Sequence, residues 1–525
     1  MPALPITGLR EVASPPRVRQ GWADAREGFG AFLGSYRERL QHIFGTRASA
    51  DQLNLQRGLP PFVLRQVREV DPLSVWIPEA YGGRGGYMPE ALSVLEETGY
   101  QSLPLCLMMG INGGLFAQPL SKYGSEEAKG HVLPNFLRHK QMGGLMITEP
   151  GFGSDALNMR TAYETTSHGS FHIKGMKHWG GLTGWADYWL LTARPRSSDG
   201  SLRRDVDFFV CDVNAPGQHI EVEEFYPNLG LWMIPYGLNK IDVTVPATAR
   251  LEPKTTGIKM LLDILHRSRL QFPGMGMGFL RRMLDEAMDH ARTRFVGGKP
   301  LFDYDQAKAR LARLQAAVTT CQAMCLHSAE QAGVERDLAD SGLVANAFKT
   351  VATDLMQEAA QSFLQMVGAK GYRLDHPAGR AIVDSRPFQI FEGSNDILYQ
   401  QITEAVLKGM RRMKASNLYQ YLTEEPLTAR AATALRDVLS FDVDATMPQR
   451  KLVELGKALG RIVSMEAVIE LGERGFRPDL VANTLEEFRG EVRALLTTFR
   501  EGGLVKVVED YREAHGWLDY VRPAT

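Results

Sequence analysis

A double change of period along the chain restricts the fold more than any other feature. From about Asp24 to Gln141 apolar residues recur at helical spacing, with Phe29, Phe32, Leu33, Tyr36 and Leu40 forming the first stripe. Leu59-Pro60-Pro61 supplies a good entrance for a second helix, and Gly82-Gly83 and Gly85-Gly86 forbid a helix at 81–86. After that the runs shorten. Segments 161–166, 170–174, 188–193, 205–212, 219–224 and 240–245 are rich in β-branched and aromatic residues and are separated by Gly, Pro, Asn or Ser clusters. Their connections are too short for repeated β-α-β crossovers, so an antiparallel barrel or sandwich is expected rather than a Rossmann sheet. From Ile258 the helical period returns. Ala307, Leu311, Leu314, Val318, Cys321 and Cys325 form one stripe, and Val344, Phe348, Val351, Leu355 and Ala359 another, as in a helical bundle.

The expected fold class is therefore α+β, with an N-terminal helical domain, a central antiparallel β domain and a C-terminal helical bundle carrying extra helices. The boundaries fall at 1–22 for an N-terminal arm, 23–143 for the helical domain, 144–256 for the β domain, 257–415 for a four-helix bundle and 416–525 for a helical extension. The extension shows apolar stripes but no chemistry.

Sixty basic against sixty-one acidic residues give a net charge of −1, which carries no general footprint for nucleic acid or a membrane surface. Cys106, Cys211, Cys321 and Cys325 show no metal-binding spacing, so free thiols in a reducing compartment and no metal site are expected. The first twenty residues contain no apolar core of a secretory signal, and no run is read as the roughly 20 apolar residues that cross a bilayer. A cytoplasmic protein without a transmembrane segment is the expectation.

Two stretches suit a planar or phosphorylated ligand. Thr148–Asp155, TEPGFGSD, joins the helical and β domains and offers backbone amides and hydroxyls, though an ordinary capped loop has the same composition. Lys177–Gly181, KHWGG, sets an aromatic face beside flexible backbone, as a core Trp at a turn would also do. No G-x-G-x-x-G follows a strand and no Walker A pattern occurs. Glu392 stands between the apolar run 388–391 and the breakers Gly393-Ser394-Asn395. On pattern alone it is either a carboxylate at a helix start or a desolvated acid whose raised pKa suits proton abstraction.

Five motifs in register carry a resemblance to the acyl-CoA dehydrogenase family over about residues 59–400. Pro78-Glu79-x-Tyr81-Gly82-Gly83-x-Gly85, TEPGFGSD, KHWGG, QMVGAKGY at 365–372 and IFEGSNDI at 390–397 resemble the family's motifs and occur in family order. The resemblance implies FAD-dependent α,β-dehydrogenation of an acyl-CoA thioester to the trans-2-enoyl product. Glu392 would remove the α proton while the β hydride passes to flavin N5. Leu145, Ile147, Thr148, Ser154, Trp179 and Ser394 match flavin contacts, and Arg294, Gln365 and Gly368 match positions that reach the FAD pyrophosphate and adenine, commonly from a neighbouring subunit. Arg269 matches an arginine that approaches the CoA portion, while an exposed helix-start arginine remains the plain alternative. Ser268 stands where some relatives place the base and cannot serve as one. A homodimer or homotetramer and an electron-transfer flavoprotein as acceptor are implied, with CoA or an acyl carrier protein as carrier.

The chain also departs from the family pattern. Gly181, still at a cofactor-binding position, lacks the family's Thr/Ser hydroxyl; Gly297 replaces a Phe, and Ala369 a Gly. These departures keep open an acyl-CoA oxidase, a flavin monooxygenase or a non-catalytic flavoprotein scaffold on the same fold.

Overall fold

The computed structural model describes residues 16–53, 55–444, 446–503, 505–512 and 516–521. Residues 1–15 of the expected arm lie outside the described residues. From Pro16 the chain is already helical, so the first helix, α1 (Pro16–Gln41), begins inside the segment read as an arm. The N-terminal helical region continues through α2 (Pro61–Val70), α3 (Met88–Gln101), α4 (Leu103–Gly110) and α5 (Glu126–Arg138).

Seven strands follow: β1 (Gly143–Met146), β2 (Ala162–Thr165), β3 (Phe171–His178), β4 (Tyr188–Pro195), β5 (Asp207–Asp212), β6 (Glu221–Phe225) and β7 (Gly237–Val245). Their order is β1-β4-β2-β3-β7-β6, with β5 also paired to β4. Most pairings are antiparallel, as expected, but β4 runs parallel to both β1 and β2. The parallel partner β1 is the strand that the sequence pattern hid, because it starts on Gly143-Gly144 rather than on β-branched residues. A Cβ on Gly143 would meet the Phe116 ring at 2.2 Å, and one on Gly144 the Trp189 ring at 2.5 Å, so these glycines let aromatic side chains pack directly on the strand.

The C-terminal bundle contains α6 (Gly257–Arg269), α7 (Phe272–Thr293), α8 (Asp305–Gln331), α9 (Gly342–Val367), α10 (Pro377–Ser385) and α11 (Asn395–Met413). Beyond it lie the extension's two long helices, α12 (Gln449–Glu473) and α13 (Pro478–Glu501). Helix α7 is the axis of the molecule, packing on α3 of the first region and on α8 and α9. Trp76 donates its indole N–H to Gln271 Oε1 at 2.8 Å, pinning the N-terminal region to the head of α7. One correction concerns the apolar runs. Leu103–Tyr123 is long and apolar enough to cross a membrane at 21 residues, and 94% of its most apolar window is buried inside the protein, as a core helix would be.

Candidate active site

Strand β1, the TEPGFGSD loop, the turn after β3, helix α6 and the loop before α11 converge on a cavity of about 410 Å³. Its wall is largely aliphatic, from Leu107, Ile111 and Leu115 on one side to Leu261, Leu262 and Leu265 on another. Leu145, Ile147, Thr148, Ser154, Trp179, Gly181, Arg269 and Glu392 all line it. Eight sequence-selected positions from four separate stretches are thus brought to one place.

Each stretch is held for a physical reason. In the loop, Glu149 is buried and its Oε1 accepts from Lys177 Nζ at 2.8 Å and from the Thr161 amide at 3.0 Å. Burial works to raise the Glu149 carboxyl, but Lys177 and these hydrogen bonds outweigh it and leave it below the usual range. Burial also pushes Lys177 down to about 8 despite Glu149. The pair fastens the loop to β3. Trp179 has φ +57° and remains about half exposed at 51%, its ring 4.6 Å from Tyr226 and 6.1 Å from Tyr236. At Gly181 a Cβ would meet Ile111 Cδ1 at 2.5 Å. The hydroxyl-bearing residue that the resemblance calls for would require the Ile111 side chain to turn aside.

Glu392 has φ +54°, a left-handed conformation that costs a non-glycine residue roughly 1–2 kcal/mol. Its carbonyl accepts from Arg269 Nε at 3.1 Å and Nη2 at 2.8 Å. The next carbonyl, of Gly393, accepts from Lys349 Nζ at 2.9 Å. These cationic donors hold the strained turn. The side chain bonds separately: Ser268 Oγ donates to Glu392 Oε1 at 2.9 Å, whereas Oε2 is buried with no hydrogen-bond partner among the described residues. Burial pushes the Glu392 carboxyl up, against the pull of Arg269, the Ser268 hydroxyl and Lys349. Burial, then Arg269, brings Lys349 down to about 7.

Not every selected residue stands as the sequence implied. Arg269 is buried rather than an exposed helix-start arginine, and its guanidinium is committed to the Glu392 carbonyl and, at 2.7 Å, to Asn346 Oδ1. Ser394 is the N-cap residue of α11 and lies outside the cavity wall. Arg294, Gln365 and Gly368 are exposed and also outside it, at the far ends of α7 and α9. Sequence reasoning missed Lys349, Asn346 and the Ser268 contact. A lysine inside an apolar stripe was the available signal for the first.

Three family descriptions match in chain order: acyl-CoA dehydrogenase N-terminal domain at 37–140, middle domain at 144–241 and C-terminal domain at 255–407. The chain belongs to the acyl-CoA dehydrogenase family. An acyl-CoA dehydrogenase of Bacillus subtilis is 25% identical over 342 residues, covering 64% of this chain and 87% of that protein. A glutaryl-CoA dehydrogenase of Desulfococcus multivorans is 28% identical over 355 residues, covering 66% and 89%. The crystal structure of an acyl-CoA dehydrogenase complexed with FAD from Bacillus anthracis shares the fold with TM-score 0.73 at 17% identity, over 90% of this chain and 88% of that one. Membership places this divergent family member among oxidoreductases acting on acyl-CoA.

Proposed function

We propose that this family member is an FAD-dependent acyl-CoA dehydrogenase that desaturates the α,β bond of an acyl thioester, with Glu392 as base. The observation that carries the reading is the free Oε2 of Glu392, enclosed at the wall of an aliphatic cavity while Oε1 is occupied by Ser268. An apolar wall raises the carboxylate's basicity toward a carbon acid, and an oxygen with no other bond is available to take the proton.

The residues present fit the cofactor. Thr148, Ser154 and Trp179 offer hydroxyls and an aromatic face that would suit a flavin ring, and Leu145 and Ile147 would offer it apolar contact, all in the wall of the same cavity. Bound there, FAD supplies the two-electron acceptor for the β carbon. The protein's own part is positional. The aliphatic wall takes the acyl chain and excludes water, and the turn at Glu392–Gly393 aims the carboxylate at the α carbon. The Glu392 amide is our assignment for the donor that polarises the thioester carbonyl. We assign Arg269 to holding that turn rather than to CoA, since its donors already meet Glu392 and Asn346. An electron-transfer flavoprotein serves as acceptor in this reading.

Anaerobic titration with a panel of acyl thioesters tests it by bleaching of the flavin absorbance. Glu392→Gln is expected to retain FAD and to slow bleaching by about 10³-fold, the scale of a lost general base. Bleaching of this variant at the parent rate would refute the assignment.

A further inference from the structure

The C-terminal extension lies outside the residues matched by the family descriptions, which end at 407, yet it is packed against the helix that begins at the Glu392 turn. Helix α12 approaches α11 so closely that a Cβ on Gly456 would meet the Tyr399 carbonyl oxygen at 2.0 Å, and one on Gly460 the Tyr399 ring at 3.3 Å. Tyr399 is buried and donates its hydroxyl to Asp354 Oδ2 at 2.6 Å. The other oxygen of Asp354, Oδ1, accepts from Gln389 Nε2 at 2.7 Å and from Asn395 Nδ2 at 2.7 Å. These two residues lie three before and three after Glu392. One carboxylate of α9 therefore clamps both ends of the segment that carries the base, and Asn395 also accepts from Lys349 at 2.9 Å.

Arg461 of α12 ties the extension to α9, the helix that carries Asp354. It is 3% exposed, with Nε donating to Glu491 Oε1 of α13 at 2.9 Å and Nη2 lying 3.5 Å from Glu358 of α9. Its Nη1 is buried with no hydrogen-bond partner among the described residues. A buried cation is costly unless anions answer it, and here those anions belong to α13 and to the helix that clamps the Glu392 segment. The sequence reading found no chemistry in the extension because none of these residues touches the cavity.

We propose that the extension is a working part of the active site: helix α12, seated on Tyr399 at Gly456 and Gly460 and tied to α9 through Arg461 and Glu358, is a positioning element that, through Tyr399 and Asp354, holds segment 389–395, and with it the Glu392 carboxylate, in place. The inference rests on the dehydrogenase reading for its catalytic consequence and on the clamp alone for its structural one. Tyr399→Phe keeps the ring against Gly456 and Gly460 while removing the bond to Asp354. Arg461→Met removes the cation, and Arg461→Lys restores it. Leu422→Ala, buried elsewhere in the extension, supplies a destabilised comparator outside the clamp.

In the full-length FAD-loaded protein, Tyr399→Phe and Arg461→Met are expected to slow thioester-dependent bleaching about tenfold at unchanged thioester affinity, the scale of a coupling transmitted through packed groups. The acid limb of the bleaching rate moves to lower pH as water reaches the loosened carboxylate. Arg269, Lys349 and Ser268, which face Glu392, and Asp155 in the cavity wall are unchanged in these variants. Hydrogen exchange of the backbone amides at 388–396 is expected to accelerate in both variants, to return toward the parent in Arg461→Lys, and to remain at the parent rate in Leu422→Ala. Should Arg461→Met not fold, Arg461→Gln, which keeps a polar side chain of similar length, carries the test of the extension's part. Parent-like bleaching, pH profile and exchange in Tyr399→Phe, or in the Arg461 variant that folds, would overturn the proposal, as would equal changes in Leu422→Ala. A parent that bleaches with no thioester removes the dehydrogenase reading instead, and the exchange measurement then decides the positioning claim by itself.

Discussion

At the scale of single residues, the site depends on two groups that do different work on one glutamate. Arg269 holds the backbone of Glu392 through its carbonyl, and Ser268, the preceding residue on α6, holds one oxygen of the side chain at 2.9 Å. The hydroxyl donates to the ionised form and so opposes the burial that raises the carboxyl. Removing it in Ser268→Ala is expected to raise Glu392 further and to shift the acid limb of the bleaching profile to higher pH, with Arg269 and Lys349 still in place. A limb that stays put or moves to lower pH contradicts this. The same shift acts on stability. Because the folded carboxyl titrates above its unfolded value, the unfolded chain releases its proton first, and stability falls as pH rises between the two values. Urea unfolding of Ser268→Ala against the parent checks the sign: the stability lost on going from acidic to neutral pH is larger in the variant. The place of Glu392 between an apolar run and a Gly-Ser-Asn turn singled it out but left a helix-start carboxylate equally open, and only the family resemblance pointed to a base. Its partner was not legible, since a serine 124 residues earlier announces nothing about which side chain it meets.

At the scale of elements, the change of period located three of the main regions, because the spacing of buried residues follows directly from helix and strand geometry. What it could not show was how closely elements approach. Helix α7 carries Gly274, Gly276 and Gly278, which by propensity weaken a helix. The structure explains them. A Cβ at 278 would meet the Glu96 carbonyl oxygen of α3 at 2.0 Å and the Tyr100 amide at 2.6 Å, so α3 and α7 pack nearly backbone to backbone. Backbone on both sides cannot swing aside as a side chain would. Gly278→Ala is therefore expected to destabilise the protein by roughly 3 kcal/mol, the upper part of the range for overpacking, although alanine favours the helix. Urea denaturation measures it, and a neutral or stabilising result would show that α3 is free to move away. The same limit explains β1, where Gly143 and Gly144 admit aromatic rings that no local pattern foretells, and bears on Gly181, beside which the end of the Ile111 side chain packs.

At the scale of the whole molecule, the single chain gathers one end of the proposed cofactor site and leaves the other on the surface. The cavity collects Leu145, Ile147, Thr148, Ser154, Trp179 and Glu392, whereas Arg294, Gln365 and Gly368 are exposed and outside it. Large apolar side chains stand exposed close to them in sequence: Phe295 at 61%, Tyr372 at 85% and Leu374 at 40%. Solvated apolar groups next to the positions that the resemblance ties to pyrophosphate and adenine are what an interface between copies would cover. We therefore expect the FAD-loaded protein to be a dimer or tetramer in which each cavity is completed by residues of a second copy. Arg294→Glu places a negative charge where a diphosphate would lie and touches nothing in the cavity wall of its own chain. FAD retained after gel filtration should fall about tenfold, the effect of roughly 1.4 kcal/mol on a binding constant. The fraction of protein that still holds FAD should bleach with thioester at the parent rate, because Glu392 and its neighbours are undisturbed. Light scattering on the parent gives the number of chains, and a monomer carrying one FAD per chain, or Arg294→Glu with undiminished FAD, would show instead that each chain completes its own site.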